Sequence, residues 1–229
     1  MTIEAGLNEF AEFLGGEIRR VENKIPTVGG QSNSPASAQI ITGEGRPDKP
    51  ETTGGKITGN EPNGTFYNST DGARVGAYFW QKQYSKWIVI SGDTGSRGMS
   101  KSSVNIKEGT VYLRRVGNMV ECSFTNGRWG TVSFYGSSNP KFTRKNHAKR
   151  MDILPRQKIP YGFQTTVPIM LPFYSDDGEN IASVYVANKG DSNYIELRFN
   201  GNVPTADIDY MRMPVITWIT NDPFPETLP

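Results

Sequence analysis

The stretch TVYLRRVGNMVECSFT, residues 110–125, decides the fold class. From Val120 to Phe124 apolar and polar residues alternate one by one, which is typical of a strand with one buried face. The two halves of the stretch are separated by the dipeptide Gly117-Asn118, which favours a two-residue hairpin turn. The sequence therefore predicts two antiparallel strands here.

Similar aromatic and β-branched runs recur along the chain at intervals of roughly ten to thirty residues, with almost no helical pattern among them. They are Thr65–Tyr67, Ala77–Trp80, Lys86–Ile90, Thr110–Val116, Met119–Phe124, Gly130–Tyr135, Thr165–Leu171, Ile181–Ala187, Tyr194–Phe199 and Pro214–Thr220. This spacing predicts a mainly β protein with an antiparallel sandwich or barrel. We expect a small β unit over residues 65–106 and a β-sandwich head over residues 107–229.

Composition narrows the classes of function. The chain has 229 residues with 25 Lys and Arg against 23 Asp and Glu, a net charge of +2, so we expect no nucleic acid partner. Cys122 is the only cysteine, which excludes an intrachain disulfide and a cysteine-based zinc cluster. The start lacks the basic and apolar regions of a signal peptide, and no run approaches the roughly 18 apolar residues of a membrane span. We expect no membrane insertion and no cofactor.

The first 26 residues carry an apolar stripe at steps of three and four, which predicts an amphipathic helix. The stripe consists of Ile3, Leu7, Phe10, Leu14, Ile18, Val21 and Ile25. Thr2 is a candidate N-cap and Pro26 a stop signal. We expect a helical stem that self-associates as a short coiled coil; the alternative is a single helix packed on its own domain.

Residues 27–64 are predicted to form an extended linker. No aromatic residue occurs between Phe13 and Phe66, and Gly, Pro, Ser, Thr and Asn dominate. Such a segment buries too little apolar surface to offset its ordering entropy, so a compact fold is not expected. Two alternatives stay open, a plain tether and a chain extended along a partner through Ile40 and Ile41.

Eight short motifs stand out along the chain: Gly45-Arg-Pro-Asp-Lys-Pro, Thr58-Gly-Asn-Glu-Pro-Asn-Gly-Thr, Ser69-Thr-Asp-Gly-Ala, Val75-Gly-Ala, Trp80-Gln-Lys, Gly92-Asp-Thr-Gly, Ile159-Pro-Tyr-Gly-Phe and the closing segment from Thr217 to Pro229. Together they resemble the recurring motifs of bacteriophage minor tail proteins, chiefly from phages of actinobacteria. They are distributed between Gly45 and Pro229. One departure is visible, because Ser96 and Arg97 stand where that family usually has an aromatic residue.

The resemblance implies a virion fibre protein, synthesised in the host cytoplasm and assembled as a homotrimer. A β-rich head would contact a host surface polymer, and residues 1–64 would join other tail or capsid proteins. The alternative is a structural or decorating fibre, on the capsid as a head fibre or along the tail, without an essential receptor role.

Candidates for catalysis are few. His147 is the only histidine and lies in a basic loop, which offers no carboxylate to orient it. Two acidic groups could cleave a glycoside without histidine, one at 176–179 and one formed by Asp207 and Asp209. Acids beside Gly and Asn are more typical of turns. We expect no catalytic residue, no metal site and no enzyme.

Two surfaces are candidates for binding. Lys141, Arg144, Lys145, Lys149 and Arg150 form a basic patch that could attract an anionic polymer; the alternative is a solvated loop.

The second candidate surface is aromatic. Trp129 and Tyr135 flank a strand beside Arg128 and suit sugar faces, although they would suit a subunit interface equally well. The other tryptophans, Trp80, Trp87 and Trp218, lie inside strand runs and are predicted to be core.

Overall fold

The computed structural model describes residues 37–99, 103–125, 127–143 and 147–229. The predicted helical stem and the first ten residues of the predicted linker lie outside these ranges. The strands are β1 (Ile40–Gly43), β2 (Phe66–Ser69), β3 (Ala77–Gln83), β4 (Lys86–Gly92), β5 (Arg97–Gly98), β6 (Ile106–Glu108), β7 (Thr110–Val116), β8 (Met119–Thr125), β9 (Val132–Phe134), β10 (Arg150–Leu154), β11 (Ile169–Ser175), β12 (Asn180–Val186), β13 (Ile195–Phe199), β14 (Ile208–Arg212) and β15 (Ile216–Ile219). Short 3-10 helices span Pro50–Thr53, Gly72–Arg74, Arg128–Gly130 and Lys189–Asp191.

The prediction of a mainly β protein is confirmed for the described residues. The first sheet has the order β1-β2-β3-β4, the second β10-β13-β12-β11-β14-β9-β6, and the third β15-β8-β7-β5. Neighbouring strands are antiparallel except β1 and β2, which run parallel. The first sheet ends at Gly92, and β5 already belongs to the third sheet.

The predicted hairpin is present as β7 and β8, with Val116 opposite Met119 and Gly117 in the left-handed region at φ 56°. Alternation decides which face is buried: Val120 and Cys122 are inaccessible to solvent. These side chains join apolar residues of the second sheet in one core, so the two sheets pack face to face. Burial raises the pKa of the Cys122 thiol.

The prediction of an extended linker is wrong for residues 40–64, which fold onto the first sheet. Strand β1 pairs with β2, and Ile57 is only 3% exposed in a core that also contains Tyr67, Trp80 and Trp87. The buried Arg46 places its guanidinium over the Trp80 ring, 5.1 Å from the centroid. The segment supplies little apolar surface itself, but later strands provide the aromatic surface that it covers.

Residue Arg115 links the hairpin to two distant segments. The side chain is buried and donates to the carbonyl oxygens of Gly117, Gly162, Asp222 and Pro223. Burial lowers the pKa of its guanidinium to about 10, against the opposing effect of the nearby Asp222 carboxylate. Two motifs that carry the resemblance, the one around Gly162 and the closing segment, thus both bind the buried guanidinium of Arg115.

The closing segment then reaches the first sheet. Phe224 is buried in the first core, where its ring lies against Gly92. The carbonyl of Pro225 accepts a hydrogen bond from Arg46 Nη1 at 3.2 Å, and Lys49 Nζ lies 2.6 Å from Glu226 Oε2. The last residues therefore join both cores.

Five strands are absent from the predicted runs, namely β1, β5, β6, β10 and β14. In β6, β10 and β14 charged residues interrupt the apolar pattern. The run predicted from Thr165 to Leu171 enters its strand only at Ile169. The reason is local: the Thr165 hydroxyl donates to the Val167 carbonyl at 2.7 Å and forms a turn, and Pro168 follows.

Candidate functional site

Trp129 is presented on a tight turn at the start of β9. Its side chain is 74% exposed, and its backbone lies in the left-handed region at φ 60°. A Cβ on Gly127 would lie 1.9 Å from the Thr131 carbonyl oxygen, so the turn closes only with glycine there. Arg212 Nη1 donates to the Trp129 carbonyl at 2.9 Å, while its Nε donates to Asp176. We call this arrangement the Trp129 corner.

Tyr135 lies at the other end of β9, so the structure does not bring it to the Trp129 corner. Val132 and Phe134, which lie between Trp129 and Tyr135, are buried in the core. Tyr135 is half-buried, and Lys141 contacts it twice: Nζ lies 3.4 Å from the Tyr135 hydroxyl and 5.4 Å from the ring centroid. The side chain of Arg128 lies outside the described part of the structure.

The basic patch does not gather around one point among its described members. Lys141 faces Tyr135, and Lys149 Nζ donates to the Asn200 carbonyl at 3.5 Å. Arg150 lies 3.6 Å from the carboxylate of Glu196, which is inaccessible to solvent and also accepts from Arg198 at 2.8 Å. The predicted members Arg144 and Lys145 lie outside the described residues.

The acids considered for catalysis are engaged elsewhere. Asp207 and Asp209 both lie about 3 Å from Lys107 Nζ. Hydrogen bonds from the backbone of Gly136 and then from Lys107 lower the pKa of Asp207, the opposite of what a general acid requires. His147 is exposed, and its Nδ1 accepts from the Lys149 amide at 3.2 Å.

A cleft lies between the first sheet and the edge strand β5. The sequence alone does not predict it. This cleft encloses about 370 Å³. Its side-chain lining consists of Asp71, Arg74, Tyr78, Asp93, Thr94 and Arg97. We call it the Arg74–Arg97 cleft.

The walls of the cleft are built by unusual backbone. Gly72, Ala73 and Arg74 are consecutive left-handed residues, with φ values of 59°, 51° and 61°. Non-glycine residues in this region are strained by about 1–2 kcal/mol each, and such strain concentrates at functional sites. The Asp71 carboxylate compensates in part, because its Oδ1 accepts from the Ala73 amide at 2.9 Å.

Two glycines set how closely the walls approach. A Cβ on Gly72 would lie 2.7 Å from the ring of Tyr78, so this ring packs directly on the glycine backbone. A Cβ on Gly76 would lie 1.8 Å from the Asp93 carbonyl oxygen. Across the gap, the Arg115 amide donates to Thr94 Oγ1 at 2.9 Å. Both sides of the cleft are therefore held by close backbone contacts.

The carboxylates of the cleft are already engaged. Asp71 Oδ1 accepts from the Gly45 amide, Ser69 Oγ and the Ala73 amide. Burial alone would raise the pKa of Asp71, but these hydrogen bonds outweigh it and lower the pKa below 3.8.

Asp93 is paired in a similar way. Both of its oxygens accept from Arg114, and Oδ1 also accepts from the Gly95 amide. The hydrogen bond from Arg114 is the main cause of the lowered pKa of Asp93. The cleft thus contains two carboxylates that already have partners within the protein.

The arginines of the cleft differ from its acids. Arg97 uses only Nε, which donates to the Thr94 carbonyl at 2.9 Å. Its two terminal nitrogens, and the whole guanidinium of Arg74, have no hydrogen-bond or ion-pair partner among the residues that the structure describes. The cleft therefore presents two arginine side chains whose N–H donors remain available to a ligand.

Three of the motifs that carry the resemblance contribute residues to this cleft: Ser69-Thr-Asp-Gly-Ala, Val75-Gly-Ala and Gly92-Asp-Thr-Gly. These motifs are the only sign of the cleft in the sequence, and the sequence does not show that they come together, because that depends on pairing between distant strands.

Comparison with protein-family models, with curated proteins and with solved structures finds no match. Within the described ranges, no helix is long and apolar enough to cross a membrane, and no group of three or more His, Cys, Asp and Glu side chains could hold a metal ion.

Proposed function

We propose that this chain is a non-enzymatic fibre protein of a phage virion, of the minor tail protein kind, whose β-rich head attaches to a polymer of the host envelope. The observation that carries the proposal is the Trp129 corner. An indole exposed to 74% on a turn held by Gly127 and Arg212 resembles a binding element more than a core residue.

The shape of this corner supports binding rather than chemistry. A rigid aromatic side chain loses little conformational entropy when it contacts a sugar face. The acids closest to a hydrolytic pattern, Asp207 and Asp209, are paired with Lys107 instead of facing one another across a groove.

Attachment to the virion is assigned to the residues that precede the head. Because residues 40–64 pack on the first sheet, the attachment segment is shortened to residues 1–36, with the apolar stripe from Ile3 to Ile25 as its oligomerisation seam. We propose three chains, which would multiply a modest affinity per head through effective concentration. Light scattering on the purified chain tests the trimer, and a single 25 kDa species at micromolar concentration would contradict it.

The binding role is tested by adding the fluorescently labelled full chain to isolated actinobacterial cell envelopes and measuring the bound fraction. We expect the Trp129→Ala variant to bind about tenfold more weakly, as expected for removal of a central aromatic contact.

The matched control is Tyr84→Ala. Tyr84 is 86% exposed and also left-handed, with φ 54°, but it lies on the β3–β4 turn. Equal binding by the wild type and Trp129→Ala, or an equal loss in both variants, would contradict a role for the Trp129 corner.

A further inference from the structure

We propose that the Arg74–Arg97 cleft is a second binding site and takes an anionic saccharide unit, a sugar or polyol that carries a carboxylate or a phosphate. The inference rests on the proposed function only for the source of this ligand, the host surface polymer. The cleft and the Trp129 corner are separate surfaces, because they share no residue.

The sign of the ligand charge follows from which groups remain available. Asp71 Oδ1 already accepts from two backbone amides and from Ser69, and both oxygens of Asp93 accept from Arg114. The guanidinium of Arg74 and the terminal nitrogens of Arg97 are without partners among the described residues. Guanidinium groups offer paired N–H donors whose geometry matches a carboxylate or phosphate. An anion is therefore the complement of this cleft.

The aromatic wall indicates the rest of the ligand. Tyr78 is 49% exposed, and one side of its ring packs against the backbone of Gly72. A ring held in place, with a hydroxyl at its tip, suits the apolar face and the hydroxyl groups of a sugar or polyol. The volume of about 370 Å³ lies at the small end of ligand pockets, which fits one or two units of a polymer.

The backbone strain around Arg74 is consistent with this role. The three left-handed residues from Gly72 to Arg74 bring the Arg74 side chain to the rim of the cleft. A relaxed turn would place it elsewhere, so the cost of the strained conformation is linked to the position of this guanidinium.

The test is an NMR titration of the full chain with two matched pairs of probes, methyl β-glucuronide with methyl β-glucoside and glycerol 1-phosphate with glycerol. We expect the glucuronide to bind about tenfold more tightly than the neutral glucoside of the same ring, as for a charge-assisted hydrogen bond. A similar preference for glycerol 1-phosphate over glycerol would support the site with phosphate as the anion. The tighter of the two anions identifies its source, a uronic acid polymer or a polyol phosphate polymer.

Two variants place the binding in the cleft. Arg74→Gln and Arg97→Gln should each weaken binding of the preferred anion about five- to tenfold and leave the glucoside unchanged. Both side chains are exposed, so the variants should keep the thermal midpoint of the wild type.

The matched control is Arg156→Gln, which removes the same charge from an exposed arginine outside the cleft. Equal affinity for charged and neutral probes, or an equal loss in the control, would overturn the proposal. Envelope binding by the Trp129 variant is a different measurement, so failure of the proposed function would leave these affinities unchanged.

Discussion

At the scale of single residues, the fold depends on charged groups in positions where apolar ones would be expected. Arg114 and Arg115 are neighbours on β7, and strand alternation sends them to opposite faces. Arg114 pairs with Asp93 at the surface, whereas Arg115 is buried among carbonyl oxygens. From the sequence alone the two arginines cannot be told apart, because the groups that bind them come from distant parts of the chain.

Replacement of Arg115 by alanine should cost about 3 kcal/mol or more in the free energy of unfolding. The change leaves buried carbonyls of Gly162, Asp222 and Pro223 without their donor and opens a cavity beside Phe224. Urea denaturation of the full chain measures the loss. Arg114→Ala is the neighbouring control and should cost far less, because its ion pair is solvent-exposed. Equal losses would contradict the assigned role of Arg115.

The Asp71 carboxylate should make the thermal midpoint of the protein fall as the pH is lowered in the acid range. In the folded protein the pKa of Asp71 lies below its ordinary value of 3.8. The charge therefore stabilises the fold fully above pH 3.8, and this stabilisation is lost as the pH falls through the folded-state pKa. Asp71→Asn removes the charge but keeps a carbonyl acceptor for the Ala73 amide. The thermal midpoint of this variant, measured from pH 7 to pH 2, should fall less steeply below pH 4.

The control for this pH series is Asp177→Asn, which removes a carboxylate from the exposed β11–β12 turn. It should follow the wild-type curve. Parallel curves for Asp71→Asn and the wild type would contradict the stabilising role of the Asp71 charge.

At the scale of elements, the sequence predicts what local pattern determines. The β7–β8 hairpin follows from its alternation and its Gly117-Asn118 turn, and both are found. The segment from Ile40 to Gly64 could not be predicted as folded, because the aromatic residues that it covers lie on later strands.

The candidate binding residues divide in the same way. The exposed position of Trp129 could be predicted, since Gly127 and Gly130 on either side of it indicate a turn at the start of a strand. The Arg74–Arg97 cleft could not be predicted, because Arg74 lies in the 3-10 helix before β3 and Arg97 lies on β5, which pairs with β7 of another sheet.

Truncation tests whether residues 37–64 are structural. A chain of residues 37–229 should unfold at the denaturant midpoint of the full chain, with Trp80 and Trp87 buried. A chain of residues 65–229 loses β1, Ile57 and the bond from Arg46 to Pro225. It should show a lower midpoint and red-shifted tryptophan fluorescence, because the first core opens. The same midpoint and emission for both chains would restore the interpretation of this segment as a linker.

At the scale of the whole molecule, two cores are joined by the end of the chain. Phe224 belongs to the first core, while Trp218 belongs to the second, only six residues earlier. Asp222 between them accepts from the amides of Gly162 and Gln164 and lies 3.0 Å from Lys189 Nζ. Together with the hydrogen bond from Arg46 to Pro225, these contacts join the first sheet and its cleft to the other two sheets.

The central claim, a virion fibre protein, is tested most directly by gold-labelled antibodies against the purified chain, applied to virions of the phage that encodes it and viewed by electron microscopy. We predict label at the tail, at the end that meets the host, and none with pre-immune serum. Label on the capsid would contradict the tail assignment and favour the decorating fibre. Virions without any label would contradict the claim itself.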